Sequence, residues 1–150
     1  METNNTQAII ADTSALVSLA TDTDQNHAVA VREAEKLSKA AKLIILPIDV
    51  FVETMNILGK RSGHETALQA AAAILQPDSQ FILVETTLHV QASLAKFTDQ
   101  PSGVSFTDCV VMAIADHYST KNIFGFDKQF ADAGYRRLEP STDWKGIPGK

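Results

Sequence analysis

Four acidic residues occupy positions from which their carboxylates could act together on one substrate. Asp12 directly follows the apolar run IIA, and Asp127 directly follows the run IFGF. Glu53 lies among apolar neighbours in VFVETMN, and Asp108 begins the mostly apolar stretch DCVVMAIA. Carboxylate oxygens are ligands that Mg²⁺ and Mn²⁺ prefer, and four such groups without a cation would repel one another. A cluster of these residues would therefore imply a bound divalent cation.

Each acid also has an interpretation that involves no chemistry. Asp12 and Asp127 could be helix N-caps, because aspartate is favoured at that position. Asp108 follows Ser105 by three residues, in the S-x-x-D pattern of a capping box. Glu53 could lie at the protein surface. The local patterns alone leave these alternatives open.

The elements that would position the acids follow from alternating apolar runs and helical patterns. We expect five strands, at residues 7–11, 42–46, 80–84, 122–126 and 135–138. We expect helices at residues 14–20, from 26 or 27 onward, and at 49–58, 65–75, 88–97 and 106–117, with a short helix around Phe130. Continuous apolar strands separated by helices predict an α/β fold with a central parallel sheet and helices on both faces. Acids at the carboxyl ends of two such strands would share one edge of the sheet.

Length and composition predict one domain over residues 1–150, with a flexible lead at 1–6 and an irregular tail at 141–150. Cys109 is the only cysteine, so no internal disulfide can form, which is typical of the reducing cytoplasm. The first residues do not have the pattern of a signal peptide. No run approaches the roughly 18 apolar residues of a membrane span. We therefore expect a cytoplasmic protein with no membrane partner.

The formal net charge of −5 argues against a nucleic-acid ligand, unless bound cations reverse the field around an acidic site. Zinc is disfavoured as that cation, because Cys109 and the four histidines show no ligand spacing. Cys109 is expected to be a small buried apolar residue rather than a nucleophile.

The ordered set ADTSAL, VFVETMN, VSFTDCVVMAIA and FGFDKQF resembles the PIN-domain nucleases. It is most similar to the VapC-type toxins of toxin–antitoxin pairs, from about residue 9 to residue 138. The resemblance implies a PIN-like endoribonuclease that hydrolyses RNA phosphodiester bonds with a metal-activated water and Mg²⁺ or Mn²⁺. Asp12, Glu53, Asp108 and Asp127 would be its catalytic and metal-binding residues. It also implies a cognate antitoxin as partner.

Further residues could support this site. The hydroxyls of Ser14 and Thr107 could orient a carboxylate or a metal-bound water, although local capping is an equal alternative. Asn56 shares a helical face with Glu53 and could position the scissile phosphate. Lys128, directly after Asp127, is the best-placed cation to guide RNA, and Lys60 and Arg61, at the end of the helix that carries Glu53, are weaker candidates.

Two other acids are left open. Members of the family often carry another acid near the fourth motif, a position that Asp132 could fill, and Asp116 lies two helical turns beyond Asp108. The helices between residues 49 and 75 carry more alanine and leucine than one inner face needs. This surplus indicates a homodimer or antitoxin surface, or a broad core face.

Two other functions compete with a nuclease. A catalytically silent PIN-like module that only binds protein is one, although the complete set of four acids argues against a decayed site. A phosphatase with Asp12 as an aspartyl nucleophile is the other. Such enzymes normally carry a second aspartate two residues later, where this chain has Ser14. Nucleotide-binding modules are disfavoured, because neither G-x-x-x-x-G-K-[ST] nor G-x-G-x-x-G occurs.

Overall fold

A computed structural model describes residues 8–142 of the protein. Its strands are β1 (Ile9–Ala11), β2 (Ile44–Pro47), β3 (Phe81–Val84) and β4 (Asn122–Phe124). Its α-helices are α1 (Thr13–Ala20), α2 (His27–Lys39), α3 (Ile48–Arg61), α4 (His64–Leu75), α5 (Val90–Asp99), α6 (Phe106–His117) and α7 (Lys128–Asp132). A 3-10 turn, Thr87–His89, precedes α5. The strands form one parallel sheet in the order β3-β2-β1-β4.

Both faces of this sheet are covered, because its central strands are apolar on both sides. Ile9 pairs with Ile44 on one face of the pleat, and Ile10 pairs with Ile45 on the other. Ile10 and Ile44 are completely buried. Helices α1, α2 and α4 lie around Phe81 of β3, and α6 contacts β1 and β2. The predicted α/β fold with a parallel sheet is confirmed.

The predicted fifth strand is only partly formed. Residues 135–138 run beside β4, where Ile123 N–H donates to Arg136 O at 2.8 Å and Leu138 N–H donates to Gly125 O at 2.8 Å. These hydrogen bonds give a single isolated parallel bridge, between Asn122 and Arg136, rather than a regular strand. A regular strand ends at Phe124, two residues earlier than predicted, for a reason that belongs to the site described below.

Helix α3 is longer than the predicted helix at 49–58. It continues through Gly59 to Arg61, and the chain turns only at Gly63, which adopts a positive φ of 102°. Gly59 therefore lies within a helix, where glycine is tolerated at a modest cost in stability.

The predicted lead at residues 1–6 and most of the predicted tail lie outside the described residues. At the start of the tail, Ser141 N–H donates to Asn26 Oδ1 at 2.9 Å. Between residues 8 and 142, no helix is both long and apolar enough to cross a membrane.

Candidate metal centre

Asp12 is fixed by its own helix cap. It follows β1 and is the N-cap of α1, where its Oδ2 accepts hydrogen bonds from Ser14 N–H at 3.2 Å and Ser14 Oγ at 2.9 Å. The same Ser14 Oγ accepts from Phe126 N–H at 2.8 Å, which ties the end of β1 to the segment after β4. The side chain of Asp12 is 1% exposed. Asp12 therefore caps α1 through Oδ2, and this capping does not exclude a role for the residue in a functional site.

Asp108 is also held through one carboxylate oxygen. The predicted capping box is present, with Asp108 N–H donating to Ser105 Oγ at 3.0 Å and Ser105 N–H donating to Asp108 Oδ2 at 3.4 Å. Gln129 Nε2 donates to the same Oδ2 at 2.8 Å. The Ser105 and Gln129 donors share the Oδ2 atom of Asp108, just as the two Ser14 donors share the Oδ2 atom of Asp12. One oxygen of each buried carboxylate is thus fixed by the protein.

Asp127 is the N-cap of α7, but its side chain makes no capping hydrogen bond. It is half-buried. Burial raises the pKa of its carboxyl, and the charges of Asp108 and Glu53 raise it further. Arg137 partly opposes this effect, and its Nη1 donates to Phe126 O at 2.9 Å. The position of Asp127 is therefore set by its backbone rather than by a side-chain capping bond.

These three aspartates form a tight cluster. Each offers a carboxylate oxygen, and the three oxygens lie within 4.8 Å of one another. Burial raises the pKa of Asp12 to about 7, with further contributions from the charges of Asp108 and Asp127. Ionised together, the three side chains repel one another in a poorly hydrated site. A cation between them would remove that penalty.

Glu53 stands beside this cluster rather than within it. It lies on α3, half-buried, and its Oε1 accepts a hydrogen bond from Thr13 Oγ1 at 2.5 Å. Its charge contributes to the raised pKa of Asp127, which places it near that carboxylate. All four predicted acids line one hollow of about 460 Å³ at the carboxyl ends of β1 and β4.

The lining of this acidic hollow is strongly negative. Asp24 is a fifth carboxylate there, and Arg61 is the single cationic side chain among the described lining residues. Asp24 Oδ2 accepts from Ser18 Oγ at 2.7 Å and from Asn26 N–H at 2.9 Å, which fixes the loop between α1 and α2.

The donor atoms of the hollow fit a hard divalent cation. They are carboxylate oxygens with hydroxyls nearby, the set that Mg²⁺ and Mn²⁺ favour. Among the described residues, the three aspartates are the only group of three or more potential histidine, cysteine or carboxylate ligands. Cys109 is buried in α6 and takes no part in this set.

Several residues singled out from the sequence lie elsewhere. Thr107 and Asn56 do not line the acidic hollow, and Ile57 rather than Asn56 faces it from α3. Lys60 is exposed and away from it, whereas its neighbour Arg61 lines it. Lys128 Nζ bonds both carboxylate oxygens of Asp132, at 3.0 and 3.1 Å, on the exposed side of α7.

The two acids left open both lie outside the acidic hollow. Asp132 pairs with Lys128. Asp116 accepts a hydrogen bond from Tyr135 Oη at 2.7 Å and pairs with Lys96 Nζ at 2.7 Å. Neither adds a ligand to the aspartate cluster.

Sequence reasoning missed Gln129, Asp24 and Gly125. Gln129 follows Asp127 by two residues in the first turn of α7, so its helical position could have suggested that it faces the site. Gly125 had the clearest signal, because a glycine inside a strand pattern often marks a close approach of another group. A Cβ at position 125 would lie 2.7 Å from Asp12 Cβ. The regular strand stops at Phe124 because its partner Ala11 is the last residue of β1. Gly125 then lies beside Asp12, where α1 begins.

We expect Gly125→Ala to displace Asp12 and to weaken Mn²⁺ binding by about tenfold or more. Overpacking of this kind should also cost about 1–3 kcal/mol of stability. Gly59→Ala is the matched control, because a Cβ there meets nothing within 4 Å and should stabilise α3. Titration calorimetry with Mn²⁺ and thermal melts measure both effects. Parent-like Mn²⁺ affinity in Gly125→Ala would show that this contact does not hold Asp12.

A short parallel sheet with a cluster of aspartates at its carboxyl edge defines an α/β protein with a candidate metal site. A PIN-domain family model matches residues 9–134. Curated relatives named 23S rRNA-specific endonuclease VapC20, from Mycobacterium tuberculosis strains H37Rv and CDC 1551, are 27% identical over 132 residues. The matches cover 88% of this chain and 98% of each relative.

A solved structure of VapC20 shows the same similarity at the level of the fold. The crystal structure of Mycobacterium tuberculosis VapC20, described as a sarcin-ricin loop cleaving toxin, matches with a TM-score of 0.74 and 25% identity. The match covers 88% of this chain and 99% of that one. This chain belongs to the PIN-domain family. The resemblance to VapC-type nucleases predicted from the sequence is confirmed.

Proposed function

We propose that this chain is a Mg²⁺- or Mn²⁺-dependent endoribonuclease that acts in the cytoplasm as the toxin of a toxin–antitoxin pair. The observation that carries the proposal is the cluster of Asp12, Asp108 and Asp127, with oxygens within 4.8 Å of one another. The similarity of the chain to an rRNA endonuclease, over almost all of the described residues, supports RNA as the substrate class.

The residues of the chain divide the work of such a site. Ser14 holds Asp12 through its Oδ2, and Ser105 and Gln129 hold Asp108 through its Oδ2. The other carboxylate oxygen of each aspartate is left to face a cation. Asp127 supplies the third oxygen. A bound divalent cation would activate a water molecule and neutralise charge on the phosphate. Glu53, fixed by Thr13 beside Asp127, is placed to hold or accept a proton from the attacking water.

Arg61 is the best-placed cation for the substrate. It lines the acidic hollow from the end of α3, where it can contact a phosphate without neutralising the aspartates. Lys128 is less suited than the sequence suggested, because Asp132 already pairs with its ammonium group.

We also propose an antitoxin segment that places a lysine or arginine, with or without an aromatic residue, in the acidic hollow. The support is electrostatic: five carboxylates line the hollow against the single Arg61 among the described residues. A negatively charged concavity attracts cationic side chains. Such a partner would compete with both the metal and RNA.

The homodimer is proposed through a surface that differs from the predicted one. The largest group of exposed apolar side chains lies on and beside α5: Leu88, Val90, Leu94, Phe97 and Phe106. We call it the α5 surface. Leu88 is 95% exposed. On the predicted surface of residues 49–75, Val52, Leu68 and Leu75 are about half exposed and are more scattered along α3 and α4. A contiguous exposed apolar patch is typical of an interface.

We expect the parent chain to be a dimer and Leu94→Glu to be a monomer, because a charge on the α5 surface would be buried between the subunits. Leu68→Glu is the matched control and should stay dimeric. Size-exclusion chromatography with light scattering measures the mass. A strictly monomeric parent at high concentration would refute the dimer, and dissociation only by Leu68→Glu would favour the predicted surface of residues 49–75.

Cleavage of single-stranded RNA tests the enzymatic proposal. We expect cleavage with Mg²⁺ or Mn²⁺ and none in chelator. RNA binding without cleavage under all metal conditions would favour the silent protein-binding module instead.

A further inference from the structure

A second hollow, of about 420 Å³, opens beside the acidic hollow. Its walls are the end of α1, the loop from Thr21 toward α2, the end of α3 and the first turns of α4. Arg61 lines both hollows, so they are neighbours across one guanidinium group. The volume falls within the range of pockets that hold small ligands.

The second hollow is lined mainly by neutral side chains whose hydroxyl or amide groups are able to form hydrogen bonds. These side chains are Thr21, Thr23, Ser62, Thr66 and Gln69. Thr21 Oγ1 is buried and has no hydrogen-bond partner among residues 8–142. Buried hydroxyls are usually paired, so this atom is a candidate partner for a bound polar group.

His27 adds an acceptor to this lining. Its Nδ1 lies 2.8 Å from Ser18 O, and a carbonyl oxygen can only accept, so Nδ1 carries a proton. In the neutral ring, Nε2 is then an acceptor.

Thr66 Oγ1 donates to Ser62 O at 3.3 Å, and Gln69 Nε2 donates to Glu65 Oε2 at 3.4 Å. These bonds leave the Thr66 hydroxyl to accept and the second amide N–H and the amide oxygen of Gln69 to bond a ligand. The second hollow therefore combines hydroxyl, amide and ring groups that donate and accept, the mixture that reads the edge of a nucleobase.

The charges of the second hollow favour a base over a phosphate. Asp22 and Arg61 contribute one negative and one positive charge, so the described lining is neutral when His27 is neutral. A phosphate would meet no net positive charge there. Its place is at Arg61, between the second hollow and the aspartate cluster. Proteins commonly read single-stranded RNA through bases that are turned out of the stack.

We infer that the second hollow binds the base of the nucleotide next to the cleaved bond, while Arg61 contacts the phosphate between the two hollows. The inference rests on the proposed ribonuclease function and adds a substrate-recognition site to it. Thr66 and Gln69 belong to α4, which carries none of the predicted acids, so selection of the base is separate from the metal centre.

The test compares the sixteen 5′-phosphorylated RNA dinucleotides with ribose 5-phosphate, each titrated in Ca²⁺. We expect the preferred dinucleotides to bind the parent about tenfold more tightly than ribose 5-phosphate. Gln69→Ala and Thr66→Val should each reduce that preference about fivefold, the effect of a lost hydrogen bond, and leave the affinity for ribose 5-phosphate unchanged. Arg61→Ala should weaken both kinds of ligand. Arg32→Ala, which removes an exposed arginine of α2 that lines neither hollow, is the control and should match the parent.

The outcomes separate this inference from the proposed function. If the parent cleaves RNA but Gln69→Ala and Thr66→Val keep its full dinucleotide preference, the second hollow does not bind a base. If the parent neither cleaves RNA nor binds any dinucleotide, the proposed function fails and the inference fails with it. Loss of the preference in Arg32→Ala would show that it arises outside the second hollow.

Discussion

Asp12→Asn is expected to reduce RNA cleavage by about 1000-fold or more, because it removes a charged ligand from the cation site. The same change should stabilise the metal-free protein. Burial and the neighbouring aspartates raise the pKa of Asp12 to about 7 from an ordinary value of 3.8, which costs the ionised form about 4 kcal/mol. The amide removes that cost and can still accept from Ser14.

The pH dependence of stability has a definite sign. A carboxyl whose pKa is higher in the folded than in the unfolded state binds protons more readily when folded. Its contribution is favourable below about pH 4 and is lost as the pH rises through about 7. The metal-free parent should therefore lose stability across this window, and Asp12→Asn should lose less.

Thermal melts in chelator between pH 5 and pH 8 measure this difference, and Asp132→Asn is the control. Asp132 lies outside the acidic hollow, paired with Lys128, so its replacement should change neither cleavage nor the pH profile. A large loss of metal-free stability in Asp12→Asn would mean that Asp12 acts mainly as the cap of α1.

RNA affinity is expected to depend steeply on divalent ion and only modestly on monovalent salt. Without a cation, five carboxylates around the acidic hollow repel phosphate, and Arg61 alone among the described lining residues attracts it. We expect removal of Ca²⁺, used as a non-catalytic substitute, to weaken RNA binding by about 100-fold. The slope of log affinity against log salt should correspond to about one or two neutralised phosphates.

Binding titrations across a salt series, with Ca²⁺ and with chelator, measure both dependences. Lys128→Ala should leave the salt slope nearly unchanged, because Asp132 already pairs with that lysine. Tight binding in chelator with a steep salt slope would show that a basic face elsewhere holds the RNA. The metal-centred account of substrate binding would then be abandoned.

The acids at strand ends could be predicted because apolar runs fix where parallel strands stop. Asp12 and Asp127 each follow such a run, and the structure brings both to the same sheet edge. Glu53 and Asp108 lie in helices, so the apolar pattern around them left their direction open. The ordered resemblance to PIN-domain nucleases was needed to group all four.

The remaining residues of the site depend on contacts between distant segments. Gln129 reaches Asp108 across 21 positions, and Thr13 reaches Glu53 across 40. No local periodicity reports such pairs. The end of β4 was misplaced for a related reason, because the distant strand β1 ends at Ala11, the partner of Phe124, although the apolar pattern of NIFGF continues.

Lys128 shows that adjacency in the sequence does not give the direction of a side chain. Its position directly after Asp127 suggested a role at the site, but α7 begins there and directs Lys128 toward Asp132 one turn later. Arg61, a weaker candidate from sequence, lines both hollows because α3 continues past Gly59. A short extension of one helix therefore decided which cation faces the site.

The central claim is that the aspartate cluster, loaded with a divalent cation, directs water onto an RNA phosphodiester. Cleavage of a defined RNA in H₂¹⁸O with Mg²⁺ or Mn²⁺, followed by mass spectrometry of the product ends, tests this claim most directly. The account predicts one ¹⁸O atom in each new terminal phosphate and no cleavage in chelator. Products ending in a 2′,3′-cyclic phosphate without ¹⁸O, or cleavage that persists in chelator, would contradict it.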